Sequence, residues 1–455
     1  MKLNSSSAAS TSASDTTSGT DVATFAAREA RTGHLSRQAV LWIALLVLAA
    51  VLPWFFYDFT TGRHSGFVLS MLSQMGLMVI FALSYNMLMG QAGLLSFGHA
   101  VFFGLGGYAT MHFLNYAAKG SLPVPIELMP LLAGLTGLGF GIVLGYLATK
   151  QRATAFAMIT LGIGELIATA AIMFQHFFGG ENGVSGNRMI DKSLLGLSYS
   201  SSTEIYYLIL AWTLIAALGM LFLTKTPLGA MANATRDNFE RAQFMGYDPR
   251  RIRFLQFALA AAFAGIGGGL YAITYEIVTY DVVAGPLSAN VVLMTYIGGA
   301  TIFYGPILGA VLITLLQSGL GQLSNSWLIY VGVLFIGMVT FAPSGLAGII
   351  QAHAPIARAR RLRRLLVPYL RLILPALAVV LGFVGFVELL SFLTIGQAQG
   401  KSLVLFSRTI DVKSSLPWLV TMALLILGGV WLRRETRAFR RVWDDITADL
   451  KSRST

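Results

Sequence analysis

The chain has 455 residues, 55% of them hydrophobic and only 11% charged, with a mean hydropathy of +0.70, no cysteine and a formal charge of +12. A soluble domain carries about 25% charged residues, so this chain lacks the polar surface to cover a globule in water, and lipid is its solvent. The missing cysteine excludes disulfide scaffolds and thiolate chemistry, and the positive charge must be placed along the chain before it can be taken as a sign of nucleic acid.

Residues 1–38 run from a Ser/Thr-rich stretch, Asn4 to Thr24, into Arg28, Arg31 and Arg37, the composition of a disordered cytoplasmic lead. The apolar run begins only at Ala39, and Pro53, Trp54, Phe55 and Phe56 follow where a cleavage site needs small residues, so the first span is expected to stay as an anchor. At roughly 20 apolar residues per transmembrane helix, about twelve spans are expected. They lie at 39–57, 67–89, 93–117, 128–149, 154–178, 205–224, 253–275, 287–304, 305–324, 327–350, 372–395 and 416–432. Gly298, Gly299, Gly305, Pro306 and Gly309 interrupt the stretch 287–324, which fits two spans or two short re-entrant helices. The expected organisation is an all-α integral membrane protein. A core at 39–351 is followed by a basic cytoplasmic linker at 352–371, two added transmembrane helices within 372–432 and a basic cytoplasmic tail at 433–455.

Lys and Arg concentrate in cytoplasmic loops. With the N-terminus inside, 25 of the 32 basic residues fall on the cytoplasmic side, and Arg63, Lys119, Arg188, Lys192, Lys401, Arg408 and Lys413 fall on the other. Dropping one span before residue 225 would separate Lys150 and Arg152 from the remaining basic loops. The charge therefore reads as topology, with both termini cytoplasmic, and no nucleic-acid partner is expected.

The loop between the sixth and seventh spans carries its own helix signals. Thr226 is placed to cap, Pro227 suits the first helical position, Gly246 suits a left-handed C-terminal position and Pro249 prevents resumption. A helix of about 19 residues is expected at 227–245, with Asn233, Arg236, Asp237, Asn238, Glu240 and Arg241 interleaved with Leu228, Met231, Phe239, Phe244 and Met245. Such a helix fits a lever worked by a separate engine, or an amphipathic connector lying on headgroups.

Glu240-Arg241-Ala242, three residues, then Gly246 resembles the Glu-Ala-Ala-x-x-x-Gly loop by which permeases of ATP-binding-cassette (ABC) importers dock on their ATPases, with Arg241 in place of the middle Ala. Asn86 to Ala100, Thr160 to Glu165, Gly179 to Gly183, Arg236 to Gly269 and Pro343-Ser344-Gly345-Leu346 follow in the order seen in permeases of branched-chain amino acid ABC importers. The resemblance covers roughly residues 40–350; Phe178, Glu181 and Ala342 depart from it. It implies a ten-span core like that of type II ABC importers, with a coupling helix at 227–246 in which Arg236, Asp237, Glu240, Arg241, Ala242 and Gly246 contact the motor. It implies as partners two ABC ATPase subunits, a second homologous permease and a periplasmic solute-binding protein, in the lipid of a bacterial inner membrane. Urea-type permeases are close relatives.

Gly93, Ser96, Gly98, Gly162, Gly164 and Glu165 are the candidates for the translocation pathway. Gly90, Gly93 and Gly98 either break a helix near the pore or allow close helix packing. Glu165 lies near the middle of the fifth span, where an ionised acid costs about 2.5–3.5 kcal/mol on insertion scales. It should face protein or water, where it could meet a substrate ammonium, relay a proton or hydrogen-bond a neighbouring helix. Glu388, in the eleventh span, is expected to make a structural or inter-subunit pairing. The chain has no Gly-x-x-x-x-Gly-Lys-[Ser/Thr] motif, and its six histidines are dispersed, so neither its own ATPase nor a metal or cofactor site is expected. The expected function is ATP-driven import of branched-chain or other hydrophobic amino acids by alternating access. The rivals are import of urea or short amides, a proton-coupled carrier using Glu165, and an intramembrane enzyme.

Overall fold

The computed structural model describes residues 46–58, 63–121, 123–151, 153–190, 193–324, 326–359, 361–396, 403–405, 408–410 and 414–452. The N-terminal lead lies outside these residues. Residues 1–69 and 70–455 form separate units. The first contains α1 (Leu46–Phe55), the described part of the first expected span, and a two-stranded ribbon of β1 (Tyr57–Asp58) and β2 (Arg63–His64) in the register Tyr57↔His64.

Helix α2 (Gly66–Asn86) leads into the larger unit, which continues with α3 (Ala100–Ala118), α4 (Met129–Ala148), α5 (Ala153–Met173), the short α6 (Gln175–Phe178) and α7 (Ser202–Lys225). Then come α8 (Pro227–Asp237), α9 (Phe239–Phe244), α10 (Pro249–Tyr275), α11 (Gly285–Gly298), α12 (Gly305–Leu323), α13 (Trp327–Phe341), α14 (Gly345–Arg358), α15 (Leu362–Ser391) and α16 (Ser415–Ser452). Among the described residues nine helices are long and apolar enough to cross a membrane, and α13 with α14, bent by 45°, is a tenth if counted as one span. Helix α3 is not one of these, although its 19 residues suffice in length: 14 of them are buried in protein, so it needs little lipid-facing apolar surface. Helix α11 has 14 residues, about 21 Å at 1.5 Å per residue, and reaches membrane length as one of the nine only together with the helical turn Tyr280–Val282 before it.

The core is organised by α10, which packs between α3 and α4. Lipid supplies no hydrophobic drive between helices, so close backbone approach through small residues has to hold them. Helix α10 meets that need with Ala258, Ala261, Gly265 and Gly268. At Gly268 a Cβ would lie 1.7 Å from the Phe103 carbonyl oxygen, so any side chain would drive α3 and α10 apart. Between α5 and α7, β3 (Val184–Ser185) pairs with β4 (Ile277–Val278), and Glu127 holds the connection down. Its Oε1 accepts from Ser193 Oγ at 2.7 Å, the Leu195 amide at 3.2 Å and Tyr199 OH at 3.0 Å. Burial first, and then the Glu127 carboxylate it serves, hold the Tyr199 phenol well above its ordinary pKa, so it stays a donor.

Two stretches of the C-terminal region are more helical than a linker and a tail require. The stretch 352–371, expected as a linker, is mostly helix, since α14 runs to Arg358 and α15 starts at Leu362. The tail expected from 433 continues α16 without a break to Ser452. The ends of α14, α15 and α16 share a small core of Ile356, Leu365 and Ile446, flanked by Phe439, Val442, Trp443 and Leu450. Tyr369 stacks near Phe439 at 4.9 Å, His353 lies 4.9 Å from Trp443, and Arg361 pairs with Asp449. At the other end of α15, Glu388 accepts hydrogen bonds from Ser324 and, at 2.6 Å, from Tyr330, so its partners lie within the same chain. A third ribbon, β5 (Leu403–Leu405) with β6 (Arg408–Ile410), lies between α15 and α16 in the chain.

Candidate functional site: a broken span braced by a loop helix

Helix α2 does not stop cleanly. It widens into a π turn, Met87–Gln91, and the chain then runs without helix from Gly93 to Gly98 before α3 begins. Gly93 has φ +66°, and a Cβ there would also sit 2.8 Å from Arg236 Cγ, so glycine is required twice over. Along the run Gly93 is exposed, Leu95 and Phe97 are half-buried, and Leu94, Ser96 and Gly98 are buried. The run lies against α5. The Phe97 amide donates to Thr160 Oγ1 at 3.2 Å, and a Cβ on Gly98 would be 2.0 Å from the Thr160 carbonyl. His99 is fully buried, with Nε2 3.0 Å from Ser84 Oγ and its ring stacked on Phe81 at 5.5 Å. The Ala100 amide, at the start of α3, donates to Ser288 Oγ at 2.9 Å.

Three elements grip the π turn. From α8, the Arg236 guanidinium donates to the Gly90 carbonyl and pairs with Asp237 at 2.9 Å. From α10, Gln256 Nε2 donates to Gln91 Oε1 at 2.7 Å in a buried contact. Asn86 Nδ2 donates to the Ala300 carbonyl, in the turn after α11, at 2.8 Å. From sequence Arg236 is given a role, whereas Asn86, Gln91, Gln256 and Thr160 lie in the quoted motif stretches without one. Their signal was available, because isolated amides and hydroxyls in apolar spans have to find partners across helices.

The helix expected at 227–245 is two helices. Asn238 adopts an extended conformation, φ −154° and ψ 104°, and its side chain accepts the Arg241 amide at 2.9 Å, capping α9. Asn competes in this way with helix continuation, because its short side chain satisfies the orphan donors of a new N-terminus. Thr226 does not cap α8; its hydroxyl donates back to the Leu223 carbonyl at 2.6 Å. Gly246 takes a positive φ of +85°, and Pro249 opens α10 behind an Asp248 cap instead of only ending what precedes it. The break also redirects the apolar residues. Leu228 and Met231 pack on the core, while Phe244 and Met245, expected on the same face, are 89% and 64% exposed. Glu240 and Arg241 are exposed beside them, Ala242 is buried, and the Arg253 guanidinium lies 5.0 Å over the Phe239 ring, fixing α9 to α10.

The remaining candidates lie on α5. Gly164 is buried against Gly98, whereas Gly162 and Glu165 are exposed. Gly285, the first residue of α11, leaves room for the Glu165 carboxylate: a Cβ there would lie 3.1 Å from Oε1. Among the described residues no group of three or more His, Asp and Glu side chains could hold a metal ion.

Nine helices among the described residues that are long and apolar enough to cross a membrane, with the turn that ends α2 gripped by a loop helix, are the architecture of a multi-pass membrane protein. Residues 67–343 match the family described as "Branched-chain amino acid transport system / permease component", and the chain belongs to that family. It is thus a permease subunit of the ABC-importer class in the inner membrane, not an enzyme, and that class works with ATPase and substrate-binding partners. The chain is 27% identical over 338 residues to the high-affinity branched-chain amino acid transport system permease protein LivM of Escherichia coli, covering 69% of this chain and 76% of that one. It is 26% identical over 320 residues to the probable branched-chain amino acid transport permease protein LivM of Methanocaldococcus jannaschii, covering 60% and 90%. It is also 25% identical over 295 residues to the fructose import permease protein FruF of Bifidobacterium longum, covering 60% and 78%. No solved structure matches.

Proposed function

We propose that this chain carries branched-chain or other hydrophobic amino acids inward by ATP-driven alternating access. In this reading it pairs with a second, homologous permease, two ABC ATPase subunits bind from the cytoplasm, and a periplasmic solute-binding protein delivers the cargo. Both termini and the α7–α10 loop are cytoplasmic, as the basic residues favour.

One observation carries the proposal: α9 presents Phe244 and Met245 to solvent beside Glu240 and Arg241, while α8, one residue away, grips the broken span through Arg236. An exposed aromatic flanked by charges fits a protein contact. A push on α9 reaches α8 through Asn238 and then the Gly90 carbonyl, which belongs to the turn that aims Gly93 to Gly98 along α5. The pathway on this reading runs over Gly93, Leu95, Phe97, Gly162 and Glu165, with Ser96, Gly98 and Gly164 as packing residues beneath it. The names of the LivM relatives favour branched-chain cargo, and the FruF relative shows that cargo differs among similar permeases, in keeping with selection by the binding protein. The test is uptake in proteoliposomes containing this chain and its partners. Uptake of a branched-chain amino acid that requires ATP and the binding protein is expected; uptake driven by a proton gradient with no ATPase present would overturn the assignment.

A further inference from the structure

Helices α15 and α16 lie beyond the family-matched region. They run antiparallel, since Arg361 meets Asp449, Tyr369 meets Phe439, and a Cβ on Gly382 would touch Leu424 and Leu425. From Ser415 to Leu432 α16 carries no charge; Arg433, Arg434, Arg437, Arg440 and Arg441 follow. At 3.6 residues per turn these five arginines share about 120° of arc, nearly opposite the stripe of Phe439, Val442, Trp443, Ile446 and Leu450 that α16 turns to the small core. All five are exposed, and among the described residues none of them is in an ion pair. Asp444 and Asp445 stand one turn beyond Arg440 and Arg441 and pair with neither. Membrane topology asks only for positive charge on one side; it does not ask that the arginines share a helix face clear of acids.

Depth gives that face a ligand. Arg433, Arg434 and Arg437 lie within about 8 Å of Leu432 along the helix axis, and a headgroup layer is about 5–8 Å deep on each side of the hydrocarbon. Arg440 and Arg441 can reach back to it on their long side chains. Across the hairpin, the pairing of Tyr369 with Phe439 sets Leu366, Val367 and Leu370 level with residues 438–442, and each of the three is more than half exposed. The level of Arg440 and Arg441 thus still has a bare apolar side, which suits a lipid surface and not open water. We propose that the arginine face of α16 binds the headgroup of an anionic phospholipid, its guanidinium groups taking the phosphate in paired, charge-assisted hydrogen bonds. The site is independent of the transport reading, and it ties the small core at the ends of α14, α15 and α16 to the membrane surface.

The natural absence of cysteine allows one label to be placed there. Ala438 is exposed and lies one turn from both Arg434 and Arg441. The full chain carrying Ala438→Cys, labelled with bimane, is placed in nanodiscs of phosphatidylcholine containing a rising fraction of spin-labelled phosphatidylglycerol or spin-labelled phosphatidylcholine. Half-maximal quenching should need at least about fivefold less of the phosphatidylglycerol, the preference that one engaged arginine confers. Higher salt should narrow the difference. Adding Arg433→Gln, Arg437→Gln and Arg440→Gln should abolish it, whereas Arg250→Gln, an exposed arginine on α10, should leave it within about twofold. Equal quenching by the two lipids would overturn the site, and so would a preference that survives the triple substitution. Loss of the preference on adding millimolar glycerol phosphate would assign the face to a soluble anion, and shielding of the label only when ATPase subunits are added would assign it to a protein; either result overturns the lipid reading. If the triple variant fails to insert, the comparison of the two lipids on the labelled chain still decides, because it retains every arginine.

Discussion

Arg236→Ala is the sharpest test of the brace. The side chain is 31% exposed and donates to the Gly90 carbonyl, while its partner Asp237 is 67% exposed. A hydrogen bond from a charged donor contributes about 1.5–3 kcal/mol, and partial exposure puts this one near the lower value. About 1.4 kcal/mol corresponds to roughly a tenfold change in an equilibrium, here that between α8 gripping and releasing the π turn. The Arg236–Asp237 pair is too solvated to add more than about 0–1 kcal/mol. Uptake and ATP hydrolysis measured in parallel on the reconstituted importer should therefore show uptake per ATP falling about tenfold in Arg236→Ala, at retained hydrolysis. Asp237→Asn should change the ratio by less than about twofold, since its pair is a surface one. A wild-type ratio in Arg236→Ala, or an equal loss in Asp237→Asn, would refute the reasoning.

Removing Phe244, an almost fully exposed aromatic, should leave thermal stability unchanged and weaken ATPase binding by about 2 kcal/mol, roughly thirtyfold, measured by co-purification and titration. Charge reversal at Glu240 should abolish ATPase co-purification while membrane insertion persists; unchanged co-purification would remove α9 from the contact. Gly268→Leu, which forces atoms into the Phe103 carbonyl, should cost roughly 3 kcal/mol or more and show as loss of a monodisperse chromatographic peak. Glu388→Ala strands the hydroxyls of Ser324 and Tyr330 and should lower the melting temperature, with a stability loss of about 1–3 kcal/mol, while Glu388→Gln recovers part of it.

Length and apolarity made most spans readable, because a lipid-facing helix must be apolar along its whole length. The same logic shows why α3 falls outside the spans readable by hydropathy: most of it is buried in protein, so Tyr108 and Thr110 are tolerated there. Proline and glycine marked the ends of the α8–α9 region, but the interior break at Asn238 was hidden. It depends on one side chain choosing a backbone amide over solvent, and periodicity does not register that choice. Glu165 was visible as an acid among apolar neighbours. Its exposed position was not, since helical phase alone does not say which faces are occupied. Around residues 439–450, Phe439, Val442, Trp443, Ile446 and Leu450 recur at helical spacing, yet the arginines among them drew attention to charge and away from the apolar stripe.

That stripe changes what the last forty residues are. At 38 residues α16 is about 57 Å long, nearly twice a hydrocarbon core of about 30 Å, and its far end is a wall of a miniature core instead of a dangling charge. Shortening the chain after Arg434 would therefore not trim a tail. It would strip the cover from Ile356 and Leu365 and leave a sticky seam on α14, the helix that follows directly on the family-matched region. Expression tags belong beyond Ser452, and a shortened form that aggregates would be reporting an uncovered seam, not a failed transporter.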